Sequence, residues 1–135
     1  MQEEIKIEKQ EAKEVKIESK NSCIKIDDFL KVEIKLGTIV SAGEMEGSDK
    51  LYRLSVDFNE LDIDGNKKYR NVFSGIKKYV STEELIGKQF PFVVNLEPRK
   101  MMGEYSEAMI LAASEGDTLA LLAPTHILQN GTQLR

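Results

Sequence analysis

Residues 51–73 read LYRLSVDFNELDIDGNKKYRNVF, and this stretch predicts the fold class. Apolar and polar side chains alternate through Leu51–Phe58, which is the period of a β-strand with one face in a core. Asp64-Gly65-Asn66 predicts a tight turn, because these residue types tolerate the backbone angles that hairpins require. Tyr69–Phe73 then returns as a second strand. The side chains that share the predicted core face are Leu54, Val56 and Phe58.

Strand patterns continue on both sides of this hairpin. Upstream, Val32–Met45 alternates apolar and polar residues, and Gly37 interrupts the run as a bulge or a barrel bend would. Downstream, Ser81–Gly87 predicts a short helix with Ser81 as its N-cap and Gly87 as its terminator. Further strands are predicted at Phe90–Leu96, Ala108–Ala113 and Thr118–Leu122. This order favours an all-β, five-stranded OB-fold barrel with a short helix between strands three and four and a small C-terminal extension. A six-stranded roll is the alternative.

The beginning of the chain differs in composition from the rest. Residues 1–22 are rich in Glu and Lys and contain no aromatic residue, Gly or Pro. We therefore expect a charged flexible arm or linker over residues 1–22 and the folded domain over residues 23–135. An arm that docks a partner or contacts RNA is the alternative. At the start of the domain, Ile26–Leu30 predicts a helical turn opened by an Asp N-cap.

The residue content disfavours several classes of function. Cys23 is the only cysteine, which excludes an intrachain disulfide, and His126 is the only histidine. Neighbouring acidic residues such as Asp27-Asp28 and Glu83-Glu84 do not converge, so we expect no catalytic site, metal or cofactor. Apolar runs have the length of strands rather than of membrane spans, and no secretory signal is evident. The cytoplasm is the expected compartment.

The formal net charge of −4 by itself disfavours nucleic acid as a partner. A binding face needs only a local cluster of cations, however, and one stands in a predicted loop at Glu97–Tyr105. With its flanks, NLEPRKMMGEYS (95–106) combines cations, stacking side chains and short polar groups, a mixture suited to phosphates and unstacked bases. The alternative is a surface hairpin whose Met residues plug the barrel mouth. The candidate binding residues are Asn95, Arg99, Lys100 and Ser106, with further basic positions at Lys50, Arg53, Lys77 and Lys78.

Six motifs occur in the order typical of one family. They are IDDF (26–29), VEIKLG (32–37), SDKLY (48–52), SGI (74–76), NLEPRKMMG (95–103) and MILAA (109–113). Together they resemble the tRNA-binding domain family, in the version appended to bacterial methionyl-tRNA synthetases or its free-standing counterpart. The resemblance implies an OB fold, a non-catalytic module that holds tRNA for the synthetase, and homodimerisation. It also implies tRNA contacts at Asn95, Arg99, Lys100 and Ser106, and less directly at Lys50 and Arg53.

The sequence departs from the family pattern in three places. Glu97 stands where a basic residue is usual, Ala108 replaces a usual glycine, and Val72-Phe73 replaces Ile-Val. No nucleotide-binding motif of a synthetase is present, so aminoacylation is expected on another chain or another part of the protein. Binding is expected to depend on tRNA structure rather than sequence. The alternative function is a dimeric chaperone-like or secretion-related peptide-binding module, and the apolar stretch Leu119–Leu128 is the sequence hint of a dimer.

Overall fold

The computed structural model describes residues 22–135. The predictions for residues 1–21 therefore lie outside the described part of the chain. One compact unit, Val32–Arg135, carries all the described strands, and helix α1 (Ile26–Phe29) belongs to the preceding unit. The remaining elements, in chain order, are β1 (Ile34–Glu44), β2 (Tyr52–Leu61), β3 (Lys67–Ser74), α2 (Thr82–Leu85), β4 (Gln89–Val93), β5 (Arg99–Met101), β6 (Glu104–Ser106), β7 (Met109–Ile110), β8 (Ala112–Glu115) and β9 (Thr118–Leu121).

Five strands form one antiparallel sheet in the order β3-β2-β1-β4-β7. The long strand β1 pairs with β4 through Ile34–Thr38 and with β2 through Thr38–Glu44. Because one strand serves two partners along its length, the sheet curls until its edge strands β3 and β7 come into contact. The predicted all-β, OB-like fold is confirmed, with α2 between the third and fourth strands.

The core fills the inside of the curled sheet. Leu54, Val56 and Phe58 are buried on one face of β2, as the alternation predicts. The Phe58 ring meets the Phe92 ring edge to face, with centroids 5.3 Å apart. Leu85 of α2 is fully buried in the same cluster, so the short helix contributes a side chain to the core.

Next to Gly37, at Thr38, β1 changes its pairing partner from β4 to β2, which agrees with the predicted barrel bend, but the alternative prediction of a bulge at this glycine is wrong. The β1–β2 register shifts between Ile39 and Ser41 instead. At Gly37 a Cβ atom would lie 2.6 Å from Phe58 Cε1 and 2.7 Å from Val56 Cγ1. The glycine is therefore needed because two core side chains of β2 lie against the backbone of β1.

The two short helices begin differently. The N-cap position of α1 is Lys25, two residues before Asp27, so the predicted Asp N-cap is wrong, and both aspartates lie within the first turn. In α2 the predicted N-cap is confirmed, because the Glu84 carboxylate accepts the Ser81 N–H at 3.1 Å in a capping box. Gly87 follows α2 with φ +82°, as expected for a terminator.

The segment predicted as a loop at Glu97–Tyr105 contains a β-hairpin, β5–β6. Its turn is Met102-Gly103, and both residues have positive φ, 52° and 84°. This is the backbone of a two-residue hairpin turn, whose twist matches that of the paired strands. The sequence lacks the usual Asn-Gly or Asp-Gly at the turn, which is why the strands were not predicted. The hairpin form is thus as the alternative has it, but Met102 is 53% exposed, so this methionine does not plug the barrel mouth.

The C-terminal extension is longer than the strand pattern indicates. The predicted strand Ala108–Ala113 is divided between β7 and β8, and β8 pairs with β9 as a separate hairpin. The chain then returns to β1, where the Leu36 N–H donates to the Thr132 carbonyl at 2.9 Å and the Gly131 N–H donates to the Leu36 carbonyl at 2.7 Å. The end of the chain thereby covers one edge of β1.

Candidate nucleic-acid interface

The β5–β6 hairpin is anchored by hydrogen bonds along the free edge of β3. Val72 is in the core, so strand alternation directs Phe73 to the opposite face, yet Phe73 is only 5% exposed. The Ser106 hydroxyl of β6 accepts the Phe73 N–H at 3.0 Å and donates to the Ala108 carbonyl at 3.2 Å. The hydroxyl is buried and engaged with backbone. Ser106 thus positions the hairpin, and a direct contact with tRNA stays a prediction.

The tip of the hairpin is held at two points. The Arg53 guanidinium on β2 forms an ion pair with the Glu104 carboxylate, and it lies 5.9 Å from the centroid of the Phe73 ring. The Met102 Cε atom lies 3.0 Å from the position that a Cβ on Gly47 would occupy, in the turn before β2. The hairpin and the β1–β2 turn are therefore neighbours.

These contacts bring the separate basic positions of the sequence together. The Lys50 carbonyl accepts the Lys77 N–H at 3.3 Å, so the loops before β2 and after β3 adjoin. Within the hairpin, cross-strand pairing places Arg99 opposite Ser106 on the inner face and Lys100 opposite Tyr105 on the outer face. The Tyr105 side chain is 55% exposed, which leaves its ring accessible for stacking.

Four of the predicted cations lack a carboxylate partner. Within residues 22–135, no carboxylate lies at ion-pair distance from Lys50, Lys78, Arg99 or Lys100. Lys77 differs, because its Nζ lies 2.5 Å from a Glu44 carboxylate oxygen, and this hydrogen bond raises the pKa of Lys77. The four unpaired cations are called the loop cations below.

Asn95 has a structural contact at the other end of the hairpin. Its Oδ1 accepts the Glu33 N–H at 2.8 Å, which joins the segment after β4 to the residue before β1. The side chain is exposed, so the predicted contact with tRNA remains open and stays a prediction.

Arg70, which the sequence analysis did not identify, links β3 by hydrogen bonds to β2 and to the segments after β4 and β6. Its guanidinium donates two hydrogen bonds of 2.8 Å to the Glu60 carboxylate and further bonds to the Val94 and Glu107 carbonyls at 2.7 and 3.1 Å. The hydrogen bonds from Arg70 lower the pKa of Glu60. Strand alternation places Arg70 on the same face as Val72, and a charge on a core-facing position is the signal that could have identified it.

Two concave surfaces flank this arrangement. The hairpin pocket, of about 110 Å³, lies between the hairpin and β3. A larger apolar groove of about 470 Å³, called the C-terminal groove, is lined by residues of the C-terminal extension and of β1 and β4. Its leucines at 122, 128 and 134 remain 47%, 51% and 38% exposed.

Two further observations concern the part of the chain that the structure describes. Among residues 22–135, no group of three His, Cys, Asp or Glu side chains is close enough to hold a metal ion. In the same range, no helix has the length and apolar character needed to cross a membrane.

Known proteins share much of this sequence. Residues 34–133 match the family described as "Putative tRNA binding domain". The chain is 41% identical to the methionine–tRNA ligase of Campylobacter jejuni over 92% of this chain and 19% of that protein. It is 43% identical to the enzyme of Azoarcus sp. over 87% of this chain and 17% of that protein. The chain thus spans less than a fifth of the length of these relatives.

Solved structures share the fold. A methionyl-tRNA synthetase-related protein from Pyrococcus horikoshii has a TM-score of 0.75 and 30% identity, covering 84% of this chain and 99% of that one. The chaperone CsaA from Bacillus anthracis has a TM-score of 0.71 and 30% identity, covering 84% and 100%. The family match over residues 34–133 confirms the resemblance seen in the motifs: the chain belongs to the tRNA-binding domain family.

Proposed function

We propose that this chain is a non-catalytic module that binds tRNA by its structure and raises the tRNA affinity of a methionyl-tRNA synthetase. The observation that carries the proposal is the set of loop cations. They are exposed and free of carboxylate partners within residues 22–135; two lie on strand β5 and two on the neighbouring loops before β2 and after β3. Unpaired cations on adjoining loops attract the phosphates of a folded RNA, and binding releases counterions.

The proposed contacts differ in kind. Arg99 and Lys100 bind phosphates, and Lys50 and Lys78 extend the same surface. Tyr105 stands opposite Lys100 and offers a ring on which an unstacked base can lie. Arg53 and Lys77 are engaged by carboxylates, so they contribute after those pairs open. Phosphates carry no sequence information, which is why recognition rests on tRNA shape.

The partner is the catalytic part of a methionyl-tRNA synthetase, present on the same protein or on another subunit. The ligases that this chain matches extend far beyond it, and their matching portion is a small fraction of their length. Aminoacylation is assigned to that catalytic part, and the cytoplasm is the expected compartment.

A titration of tRNA against the chain at several salt concentrations tests the proposal. The logarithm of the binding constant should fall linearly with the logarithm of salt concentration, with a slope set by the number of phosphate contacts. Arg99→Ala with Lys100→Ala should weaken binding by about 10- to 100-fold and reduce the slope. Lys67→Ala with Lys68→Ala removes the same charge from paired positions and serves as the control. Absent or salt-insensitive binding would refute the function.

Homodimerisation is the second part of the proposal, and we place the second copy in the C-terminal groove. Exposed leucines there form an apolar surface that pairing would remove from water. Sedimentation equilibrium at micromolar concentration should show a dimer, and Leu122→Glu with Leu128→Glu should give a folded monomer. A wild-type monomer would remove this part of the proposal.

A peptide-binding, chaperone-like module is the second candidate. The structural likeness to the chaperone CsaA and the C-terminal groove favour it. The loop cations favour RNA, because an apolar peptide has no use for them. Binding of unfolded peptides with no binding of tRNA would reverse the order of the two candidates.

A further inference from the structure

The hairpin pocket has an apolar floor and a charged rim. Phe73 and Ala108 are buried to 5% and 8% exposure at its floor, and Leu96 and Met109 are about half exposed on its walls. Glu97 and Arg99 add one negative and one positive side chain, and Met101 and Ser106 complete the lining. The pocket is thus apolar inside and carries both charges at positions open to solvent.

The shape and lining suit a single nucleobase. The volume of about 110 Å³ makes this a small site, suited to one planar group rather than to a peptide segment. A base is a planar group with apolar faces and a polar edge, and protein sites for unstacked bases combine apolar or aromatic surfaces with hydrogen bonds to that edge. Arg99 on the rim can hold a phosphate beside the base.

The four bases differ in how well their hydrogen-bonding edges match the carboxylate of Glu97. A carboxylate only accepts hydrogen bonds, through two oxygens side by side. Guanine presents two adjacent donors, N1–H and the N2 amino group, whereas adenine, cytosine and uracil each place an acceptor next to a single donor. No cation lies at ion-pair distance from Glu97 within residues 22–135, so its carboxylate is available.

We propose that the hairpin pocket binds one unpaired guanine of the RNA, with Glu97 accepting its N1–H and N2–H donors and Arg99 holding the adjacent phosphate. The inference rests on the proposed function and adds a base preference to a surface that otherwise recognises shape. The proposal also gives a role to Glu97, the acidic residue that departs from the family pattern. Its negative charge weakens the attraction of phosphates in general, and its carboxylate strengthens the binding of one base.

The test uses single-stranded uridine 12-mers that carry one central guanine, inosine or adenine, with binding followed by fluorescence anisotropy. Wild type should bind the guanine oligomer about tenfold more tightly than the adenine oligomer, the usual scale for a bidentate base contact. Inosine, which lacks the N2 amino group, should fall between them. In Glu97→Gln the guanine-to-adenine ratio should drop below about twofold.

The readout is a ratio because removing an acidic charge strengthens binding to every RNA. Glu115→Gln removes the same charge at an exposed position outside the pocket and should keep the guanine preference. Equal binding of the guanine and adenine oligomers by wild type overturns the inference, as does a preference that survives in Glu97→Gln. Loss of tRNA binding altogether would instead refute the proposed function, while tRNA binding without oligomer binding overturns the pocket alone.

Discussion

The Lys and Arg side chains of the β2–β3 hairpin have carboxylate partners, whereas the loop cations have none within residues 22–135. On the sheet, Lys67 lies 2.8 Å from Asp57, Lys68 lies 3.9 Å from Glu107, and Arg70 lies 2.8 Å from Glu60. In the loops, no carboxylate of residues 22–135 pairs with the four loop cations, Lys50, Lys78, Arg99 and Lys100. Position in the fold separates cations that hold strands together from cations that face solvent.

The difference explains how a chain of net charge −4 can present a surface for RNA. A paired cation contributes little field beyond its partner, because the two charges cancel at a distance. The ion pairs on the sheet therefore contribute little to the electrostatic field at a distance, although they contain both acidic and basic side chains. A phosphate near this surface is attracted by the local field of the unpaired loop cations. The net charge of the chain does not describe that local field.

The largest expected effect is a difference in unfolding free energy between variants of the paired sheet cations and variants of the loop cations. Arg70→Met should lower the free energy of unfolding by about 2 to 3 kcal/mol, because it leaves Glu60 and two backbone carbonyls without their donor. Arg99→Met should change it by less than about 0.5 kcal/mol, as expected for an exposed residue. Urea denaturation at neutral pH measures both.

Binding should show the reverse order. Arg99→Met should weaken tRNA binding, whereas Arg70→Met should leave it nearly unchanged at temperatures where the variant is folded. If Arg70→Met lost tRNA binding while folded, or Arg99→Met lost stability instead of affinity, the division between structural and binding cations would be wrong.

The next effect concerns Arg53, which is paired but lies beside the loop cations. Arg53→Glu places two carboxylates at the hairpin tip and should weaken tRNA binding by about tenfold, since the pair with Glu104 holds the tip in place. The exchange Arg53→Glu with Glu104→Arg restores an ion pair and the original net charge. It should recover affinity to within about threefold of wild type.

This double-mutant cycle distinguishes positioning from direct contact. If the exchanged protein binds tRNA as weakly as Arg53→Glu alone, Arg53 itself contacts tRNA and belongs with the loop cations. Circular dichroism of each variant provides the control for folding.

The smallest effect comes from releasing a cation. Glu44→Gln removes the partner of Lys77 and should raise tRNA affinity by about two- to threefold at low salt, within the range of an exposed ion pair. The gain should disappear at high salt, where exposed charges are screened. Glu115→Gln makes the same change in net charge on β8 and should have a smaller effect. Equal gains from both variants would show that only net charge matters.

Most of the sheet could be predicted from local patterns. Alternation identified β2, and Asp64-Gly65-Asn66 identified its turn, because both signals lie within a few adjacent residues. The β5–β6 hairpin could not be predicted, because Met102-Gly103 is an unusual turn pair and each strand is only three residues long. The packing role of Gly37 could not be predicted, because the side chains that require a glycine there belong to another strand.

The candidate site divides in the same way. Its cations could be identified from the sequence, since charge is a property of single residues. Whether each is free or paired could not, because Arg53 and Glu104 are far apart in the chain and meet only across the hairpin. Ser106 was predicted as a ligand contact, and only the fold shows its hydroxyl buried against the backbone of β3.

The sequence by itself determined the long strands β1, β2 and β3, the short helix α2 and the family, because periodicity, turn residues and motifs are local properties of the chain. Only the tertiary structure decided which cations are free, which glycine has a packing role, and that Phe73 and Glu97 line the same pocket. Those features depend on contacts between distant segments, and long-range contacts exist only after the sheet has curled. The net charge of −4 is compatible with binding RNA for this reason: folding pairs the sheet cations and leaves the loop cations exposed.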